Sequence, residues 1–235
     1  ASEHEPGLSA LEWQQFTDTE FALCPPVLAV GNGASVLDLG FEDLSRLLSS
    51  DFPVRVVAFE TPGLTSTGHT HIKRRDLASL AIAHRHAFVL QSSPATPSHL
   101  IAGVLRGLAV RGPALFSLAS STASTHAGHG ASMARAARLA LESRAVPALL
   151  YDPSAGTSPG ERLSLDGNPM PDQAWPTYDL PWIDTDGAQQ VMTLPVTVAD
   201  WAAAEPAYQH HFSVPAEGTD PEALLRFDEY LAAAA

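Results

Sequence analysis

Two stretches of this chain decide the fold, Val27-Leu-Ala-Val-Gly-Asn-Gly-Ala-Ser35 and Val54-Arg-Val-Val-Ala-Phe-Glu-Thr-Pro-Gly-Leu-Thr-Ser-Thr-Gly68. Each begins as an apolar, valine-rich run and ends in glycines and hydroxyl residues, which is typical of a buried strand that leads into a loop. Backbone N–H groups at such a strand end, followed by a helix N-terminus, can bind phosphate oxygens. Because neighbouring parallel strands end at one edge of a sheet, we expect both loops to face one crevice that binds a phosphorylated cofactor.

Apolar runs and helical spacings continue this pattern along the chain. Strands are predicted at Val27–Val30, Val54–Phe59, His86–Gln91, Pro113–Leu118 and Val146–Tyr151. Helices are predicted at residues 8–17, Val36–Ser49, Asp76–His84, Ser98–Val110 and Ala131–Arg144. Strands that alternate with helices indicate right-handed βαβ crossovers. The predicted fold class is α/β, a three-layer αβα arrangement with a mainly parallel sheet.

The composition of the chain changes after Asp152, where proline, glycine and aspartate become frequent. A hairpin is predicted at residues 162–169, and closing helices are predicted at Val198–Phe212 and Asp220–Ala235. We therefore expect three parts. They are an N-terminal segment (1–25), an α/β domain (26–155) and a C-terminal extension that packs on the same domain (156–235).

Charge and cysteine content exclude several classes of function. The chain has 13 Lys and Arg against 26 Asp and Glu, a formal net charge of −13. This balance disfavours nucleic acids and anionic membrane surfaces as partners. The one cysteine, Cys24, cannot form an internal disulfide or the usual four-thiolate iron–sulfur site. With no apolar run of about 20 residues and no signal-peptide pattern, we expect a cytoplasmic protein.

Several segments resemble the thiamine-diphosphate-binding domain of the 2-oxoacid:ferredoxin oxidoreductases, such as pyruvate:ferredoxin oxidoreductase. Asp38-Leu-Gly-Phe41 and Glu60-Thr-Pro-Gly-Leu-Thr-Ser-Thr-Gly68 match two of that family's loops. Arg74-Arg-Asp-Leu77 is similar to its Lys-Lys-Asp-Leu helix start, and residues 116–153 to a later strand, loop, helix and strand. The resemblance covers about residues 26–155 and implies the thiamine-diphosphate-binding fold.

The resemblance implies a thiamine diphosphate site with Mg²⁺. In the family an aspartate of the first loop, a threonine side chain and a backbone carbonyl hold the metal, for which hard oxygen ligands are suited. The corresponding metal ligands here are Asn32, Thr61 and Gly63, and the implied cofactor-binding set is Gly31, Asn32, Gly33, Ser35, Thr61, Gly63, Ser66 and Thr67. An ungapped alignment puts Gly33 on the aspartate position, whereas a gap moved by one residue puts Asn32 there.

The resemblance also implies that this chain needs partners. In the family, the glutamate that activates the cofactor comes from another domain, and electrons leave through iron–sulfur clusters. We therefore expect other domains or subunits of a 2-oxoacid oxidoreductase, including an iron–sulfur electron acceptor, in a homo- or hetero-oligomer. The isolated chain is predicted to be inactive, and no catalytic residue is assigned to it.

Two alternatives to the cofactor-binding component stay open. One is a structural or assembly domain of the same ancestry that has lost its cofactor, which the missing aspartate favours. The other is a dinucleotide-binding, Rossmann-like domain, because Gly31 and Gly33 follow a strand and Glu60 ends the next one. Val36 stands where that fingerprint has Gly or Ala, which weakens this alternative.

Histidines and hydroxyl residues suggest two further sites. His69 with His71, and His84 with His86, have i, i+2 spacing, and His126 and His129 could join the first pair as metal ligands at the carboxyl edge of the sheet. The run Ser120–Thr125 could bind an anion there. Capping and surface roles are the more frequent use of such residues in polar loops.

Overall fold

A computed structural model describes residues 13–61, 76–119, 130–184, 186–206 and 208–213, together with residues 216, 225, 229, 230 and 233. Its eight strands are β1 (Val27–Asn32), β2 (Val54–Glu60), β3 (Phe88–Ser92), β4 (Ala114–Ala119), β5 (Leu149–Tyr151), β6 (Leu163–Ser164), β7 (Thr177–Ile183) and β8 (Gln189–Pro195). Its helices are α1 (Asp18–Leu23), α2 (Gly33–Leu39), α3 (Phe41–Leu48), α4 (Leu77–Ala83), α5 (Pro97–Ala109), α6 (Gly130–Glu142), α7 (Pro159–Arg162) and α8 (Val198–Ala204), with 3₁₀ turns at Trp13–Gln15 and Gln209–His211.

Six strands form one mixed sheet in the order β1-β2-β4-β3-β5-β6. The first four in the chain are mutually parallel, whereas β5 runs antiparallel to β3 and β6 antiparallel to β5. The α/β class and the mainly parallel sheet are as predicted. β6, which lies beyond residue 155, completes this sheet, and the proposed three-part division of the chain stays a prediction.

Helices cover both faces of this sheet. Leucines and alanines of α2, α3 and α4 pack on one face, against Val56, Val89 and Leu115. α5 packs on the other face, against Phe88, Leu90 and Phe116. α5 approaches closely because Gly103 and Gly107 face the sheet, where a Cβ would collide with Leu90 and Phe116. The result is a three-layer core.

β5 is the strand that runs against the common direction of β1 to β4. α6 packs through Ala140 against Trp201 of α8 and does not return along the sheet. The chain therefore starts β5 at the carboxyl edge of β3, where Leu149 pairs with Gln91, and runs back. The antiparallel direction of β5 therefore accompanies a contact between α6 and a helix about 60 residues further along the chain.

Several other elements differ from the sequence predictions. The helix predicted at 36–49 is two helices divided at Gly40, and the helix predicted at 198–212 ends at Ala204, just before Glu205-Pro206. The hairpin predicted at 162–169 is instead a strand pair between β5 and β6. Helix α1 and the ribbon formed by β7 and β8 were not predicted.

Arg55 of β2 is a buried cation that fastens α5 to the sheet. Its guanidinium donates to the carbonyl oxygens of Leu108 (3.1 Å) and Gly112 (2.9 Å), and also to that of Val110. Burial lowers the pKa of Arg55. Carbonyls at a helix C-terminus carry a partial negative charge, so they stabilise a cation at this place.

Candidate functional site

The carboxyl ends of β1 and β2 lie side by side, as the two glycine-ended runs predict. Asn32, the last residue of β1, pairs with Phe59 in the parallel register, so residues 31–33 lie beside residues 58–60. Thr61 follows β2 directly and is half-buried. The structure therefore places Gly31, Asn32 and Gly33 at the same end of the sheet as Thr61. Gly63, Ser66 and Thr67 of the implied site lie outside the described residues.

The amide groups that follow β1 are already bound by the chain itself. Asn32 is the N-cap of α2, and its Oδ1 accepts from the backbone N–H of Ala34 (3.0 Å) and of Ser35 (3.3 Å). These are the donors that a diphosphate would need at this strand end. α2 is also only two turns long, so its dipole is small. Asn32 and Ser35 therefore serve the start of a helix in this structure.

Glu60 fills the space beside Gly33. A Cβ on Gly33 would lie 2.6 Å from Cγ and 3.4 Å from Cδ of Glu60, and 3.5 Å from the carbonyl oxygen of Phe59. Real Cβ atoms do not approach so closely, so the side chain of Glu60 needs a glycine at position 33. Under the ungapped alignment, the side chain of a neighbouring strand fills the space that the family's metal-binding aspartate would need at position 33.

A row of polar side chains crosses the sheet from Glu60. Ser117 of β4 donates from Oγ to Oε1 of Glu60 at 2.6 Å. Gln91 of β3 lies opposite Ser117 in the register and donates from Nε2 to the carbonyl oxygen of Pro147 at 2.8 Å. Ser117 and Gln91 are buried. This row was not predicted, although a serine and a glutamine within apolar strands are the signal for it.

A second buried polar pair lies at the end of β3 on the α5 face. Ser92 Oγ lies 3.0 Å from Nδ1 of His99, and the Nε2 of that ring is buried with no hydrogen-bond partner among the described residues. Burial lowers the pKa of His99, and the charge of Asp166 opposes this effect. Ser92 is 2% exposed, so its hydroxyl is closed to a substrate. The pair supports a packing role.

The described histidines of the predicted metal sites lie apart from the carboxyl edge. His84 caps α4, where its ring lies 3.0 Å from Ser49 Oγ, and His86 pairs with Asp51 at 3.1 Å just before β3 begins. His69, His71, His126, His129 and the run Ser120–Thr125 lie outside the described residues. Within the residues that the structure describes, no group of three His, Cys, Asp or Glu side chains could hold a metal ion.

The opposite edge of the sheet has an open cleft of about 320 Å³. Its walls are mainly apolar, and His86, Arg111, Asp152 and Ser154 supply polar groups. Asp152 accepts from Arg106 at 2.7 Å and from the N–H and hydroxyl of Ser154. Burial raises the pKa of Asp152, but the hydrogen bonds from Ser154 and Arg106 outweigh it and lower the pKa overall. Asp152 therefore orders the loop after β5.

The described residues do not fit thiamine diphosphate with Mg²⁺. The side chain of Glu60 occupies the space beside Gly33 at this end of the sheet. The amide oxygen of Asn32 is used in capping, and residue 33 cannot carry a ligating side chain while Glu60 holds this position. A metal ion at this edge would need ligands beyond those the structure describes.

Comparisons with known proteins do not assign a family. No protein-family model matches this chain, and no curated protein matches its sequence. Among the described residues, no helix has the length and apolar character needed to cross a bilayer.

Proposed function

We propose that this chain is a structural domain of a larger enzyme of the 2-oxoacid:ferredoxin oxidoreductase type, with the fold of a thiamine-diphosphate-binding domain but without the cofactor. The observation that carries this proposal is the Glu60 side chain packed against Gly33 and held by Ser117. A domain that bound diphosphate at this edge would need the space and the amide groups that Glu60 and Asn32 use.

An exposed apolar surface on the sheet supports a role in assembly. Leu28 and Val30 of β1 are paired with Arg55 and Val57 of β2, so their side chains lie on the α5 face, as does that of Phe59. Leu28, Val30 and Phe59 are 54%, 64% and 46% exposed. Contiguous exposed apolar side chains on a sheet face mark protein–protein contacts. This part of the sheet is suited to another domain of the same assembly.

The test is thermal unfolding with thiamine diphosphate and Mg²⁺ added together and separately. A ligand that binds the folded state raises the melting temperature, so binding is detected without any enzymatic turnover. We expect no shift for the wild-type chain at millimolar ligand. A saturable shift that needs Mg²⁺ would overturn the structural role.

The second candidate is a domain that still binds thiamine diphosphate and Mg²⁺. Asn32 and Thr61 lie at the carboxyl ends of two paired strands, and this placement favours it. For this candidate Glu60 would have to leave Gly33 when the cofactor binds. The variant Gly33→Asp in a Glu60→Ala background opens the space and restores the carboxylate at position 33. If thiamine diphosphate with Mg²⁺ raises the melting temperature of this variant and not that of the wild-type chain, the result supports loss of the cofactor by the natural chain.

A further inference from the structure

Helix α5 is apolar on the side that faces away from the sheet as well as on the side that packs on it. Gly103 and Gly107 face the sheet, and each residue of an α-helix turns the chain by about 100°. Ile101, Leu105 and Ala109 are each two positions from one of these glycines, so they point to the opposite side. Ile101 and Leu105 are 60% and 63% exposed. A helix that is apolar all round is typical of a protein interior, so the outer side of α5 calls for a partner.

Beside α5, the same face of the sheet is open over β1 and the carboxyl end of β2. This bare strip is formed by Leu28, Val30 and Phe59, whose side chains lie on the α5 face. All three are exposed, whereas Phe88 and Phe116, which lie under α5, are buried. The α5 face therefore has the shape of a step, with one half covered by a helix and the other half open.

The open half of the step has the dimensions of one helix. The six residues of β1 span about 20 Å at about 3.3 Å per residue, and two strands about 4.8 Å apart span about 10 Å. The 13 residues of α5 make a helix that is about 20 Å long and about 10 Å wide. A helix such as α5 therefore matches the bare strip in both length and width.

Two such steps fit together about a two-fold axis that runs parallel to the strands. Rotation about this axis turns the second copy over and exchanges its covered and open halves, so the α5 of each copy lies on the bare strip of the other. The two α5 helices then lie side by side in one layer between the two sheets. Both copies use the same surfaces, as in the isologous two-fold dimers that are the commonest oligomers.

Charge favours a second copy over a charged partner. The chain has a formal net charge of −13, yet residues 21–37 contain no charged side chain. Arg106 is the one Lys, Arg, Asp or Glu of α5, and it pairs with Asp152 at 2.7 Å. Because like charges repel, two copies of an acidic chain associate best through an uncharged surface. A strongly basic or acidic partner would find no complementary charge on the bare strip or on the outer side of α5.

We propose that two copies of this chain form a dimer in which the α5 of each copy fills the bare strip of the other. This inference rests on the proposed structural role of the chain, because it names the partner of the exposed sheet surface that supports that role. In flat projection each copy contributes roughly 400 Å², about half of the 800 Å² that a standard stable interface buries on each partner. Dimerisation of the isolated chain is therefore weak and reversible.

Sedimentation equilibrium of the full chain over the micromolar range tests the dimer. We expect a reversible equilibrium between monomer and dimer. Leu105→Glu should weaken dimerisation about tenfold or more, because it buries a charge without a partner. Position 105 is exposed and glutamate favours helices, so the variant should fold, which circular dichroism checks. The matched control is Leu39→Glu in α2, on the opposite face of the sheet, where the leucine is 87% exposed.

The control should dimerise as the wild-type chain does. Equal dimerisation of Leu105→Glu and Leu39→Glu would overturn the inference, and so would a wild-type chain that stays monomeric throughout this range.

Cross-linking tests the arrangement of the two copies. Rotation about an axis parallel to the strands keeps each residue at its height along them. Leu90, which lies under Gly103, is level with Val30 across the sheet. Leu105 of one copy should therefore lie near Val30 of the other. In a Cys24→Ser background, which removes the natural thiol, Leu105→Cys and Val30→Cys proteins are mixed and treated with a short bismaleimide.

The mixture should form covalent dimers, and each variant alone should form far fewer. The reason is that the two Val30 side chains lie in different sheets and the two Leu105 side chains point in opposite directions. Cross-linking of Val30→Cys alone to the extent of the mixture would indicate pairing of two β1 edges and would overturn the proposed arrangement.

Failure of this inference and failure of the proposed function give different results. A rise in melting temperature that depends on thiamine diphosphate and Mg²⁺ contradicts the structural role, whatever the oligomeric state. A monomeric chain without such a rise contradicts only the dimer, and it would assign the bare strip to a helix of another protein.

Discussion

Gly33 and Glu60 lie against each other across the carboxyl ends of β1 and β2, and the contact leaves no room for a side chain at position 33. The same Glu60 accepts a hydrogen bond from Ser117 of β4, so one side chain connects the ends of three adjacent strands. Open α/β sheets usually bind ligands at this edge. Among the described residues, Glu60 packs on Gly33 and bonds to Ser117 at this edge.

This contact predicts coupling between the two positions. Gly33→Ala should lower the free energy of unfolding by about 1–3 kcal/mol, because the added methyl group collides with Glu60. In a Glu60→Ala background the same change should cost much less, since the obstructing side chain is gone. Urea unfolding of the four proteins gives the coupling energy. Gly160→Ala, where a Cβ meets nothing within 4 Å, is the control and should not destabilise the protein. Equal costs of Gly33→Ala in both backgrounds would refute the contact.

The cap of α2 gives a second prediction. Asn32→Ala should lower the free energy of unfolding by about 1 kcal/mol, because the N–H groups of Ala34 and Ser35 lose their acceptor. Asn32→Asp keeps an acceptor oxygen and should be nearly neutral. Chemical denaturation measures both. If the aspartate variant were as unstable as the alanine variant, capping would not be the role of this side chain.

Arg55 should be one of the most sensitive positions in the sheet. Arg55→Ala removes the donors to Leu108, Val110 and Gly112 and leaves a cavity, with an expected loss of about 3–5 kcal/mol. Arg55→Lys should recover only part of this stability, because a compact ammonium group cannot reach three carbonyls in the same way. The exposed Arg46 provides the control, since Arg46→Ala should change stability by about 0.5 kcal/mol or less. If Arg55→Ala lowered the free energy of unfolding only slightly, Arg55 would not be holding α5 against the sheet.

His99 predicts how stability depends on pH. Its pKa is lowered in the folded state by burial, so the unfolded chain binds the proton first as the pH falls below about 6.5. The free energy of unfolding should therefore decrease as the pH falls from about 6.5 to the folded-state pKa of His99. Above about pH 6.5 it should not depend on this group. Urea unfolding from pH 5 to 8 measures the slope, which His99→Gln should reduce. An unchanged slope in that variant would exclude His99 as the cause.

Sequence patterns predicted the four parallel strands β1 to β4 because each is marked by residues within or next to the strand itself. β1 to β4 are apolar runs bounded by glycine, proline and hydroxyl residues, and they form the predicted parallel sheet. The reversed direction of β5 accompanies the packing of α6 against Trp201, and no local sequence pattern encodes that contact. The β7–β8 ribbon was not predicted because Asp179 and Pro181 interrupt the usual alternation of a strand.

Sequence patterns predicted which strand ends are neighbours, but they did not predict which side chains meet there. The neighbouring ends of β1 and β2 follow from the two glycine-ended runs. Which group fills the space at these strand ends depends on the orientation of the Glu60 side chain. That side chain is directed toward Ser117, which lies 57 positions later in the sequence. A glycine at position 33 is compatible with a phosphate loop or with a close side-chain contact. Only the three-dimensional arrangement separates these two uses.

The most direct test of the central claim is isothermal titration calorimetry of the wild-type chain with thiamine diphosphate in the presence of Mg²⁺. With Glu60 packed on Gly33 at the shared end of β1 and β2, we expect no saturable heat at millimolar cofactor, with or without the metal. Saturable heat that requires Mg²⁺ and is lost in Thr61→Ala would contradict the account, since it would place the diphosphate at the edge that Glu60 fills.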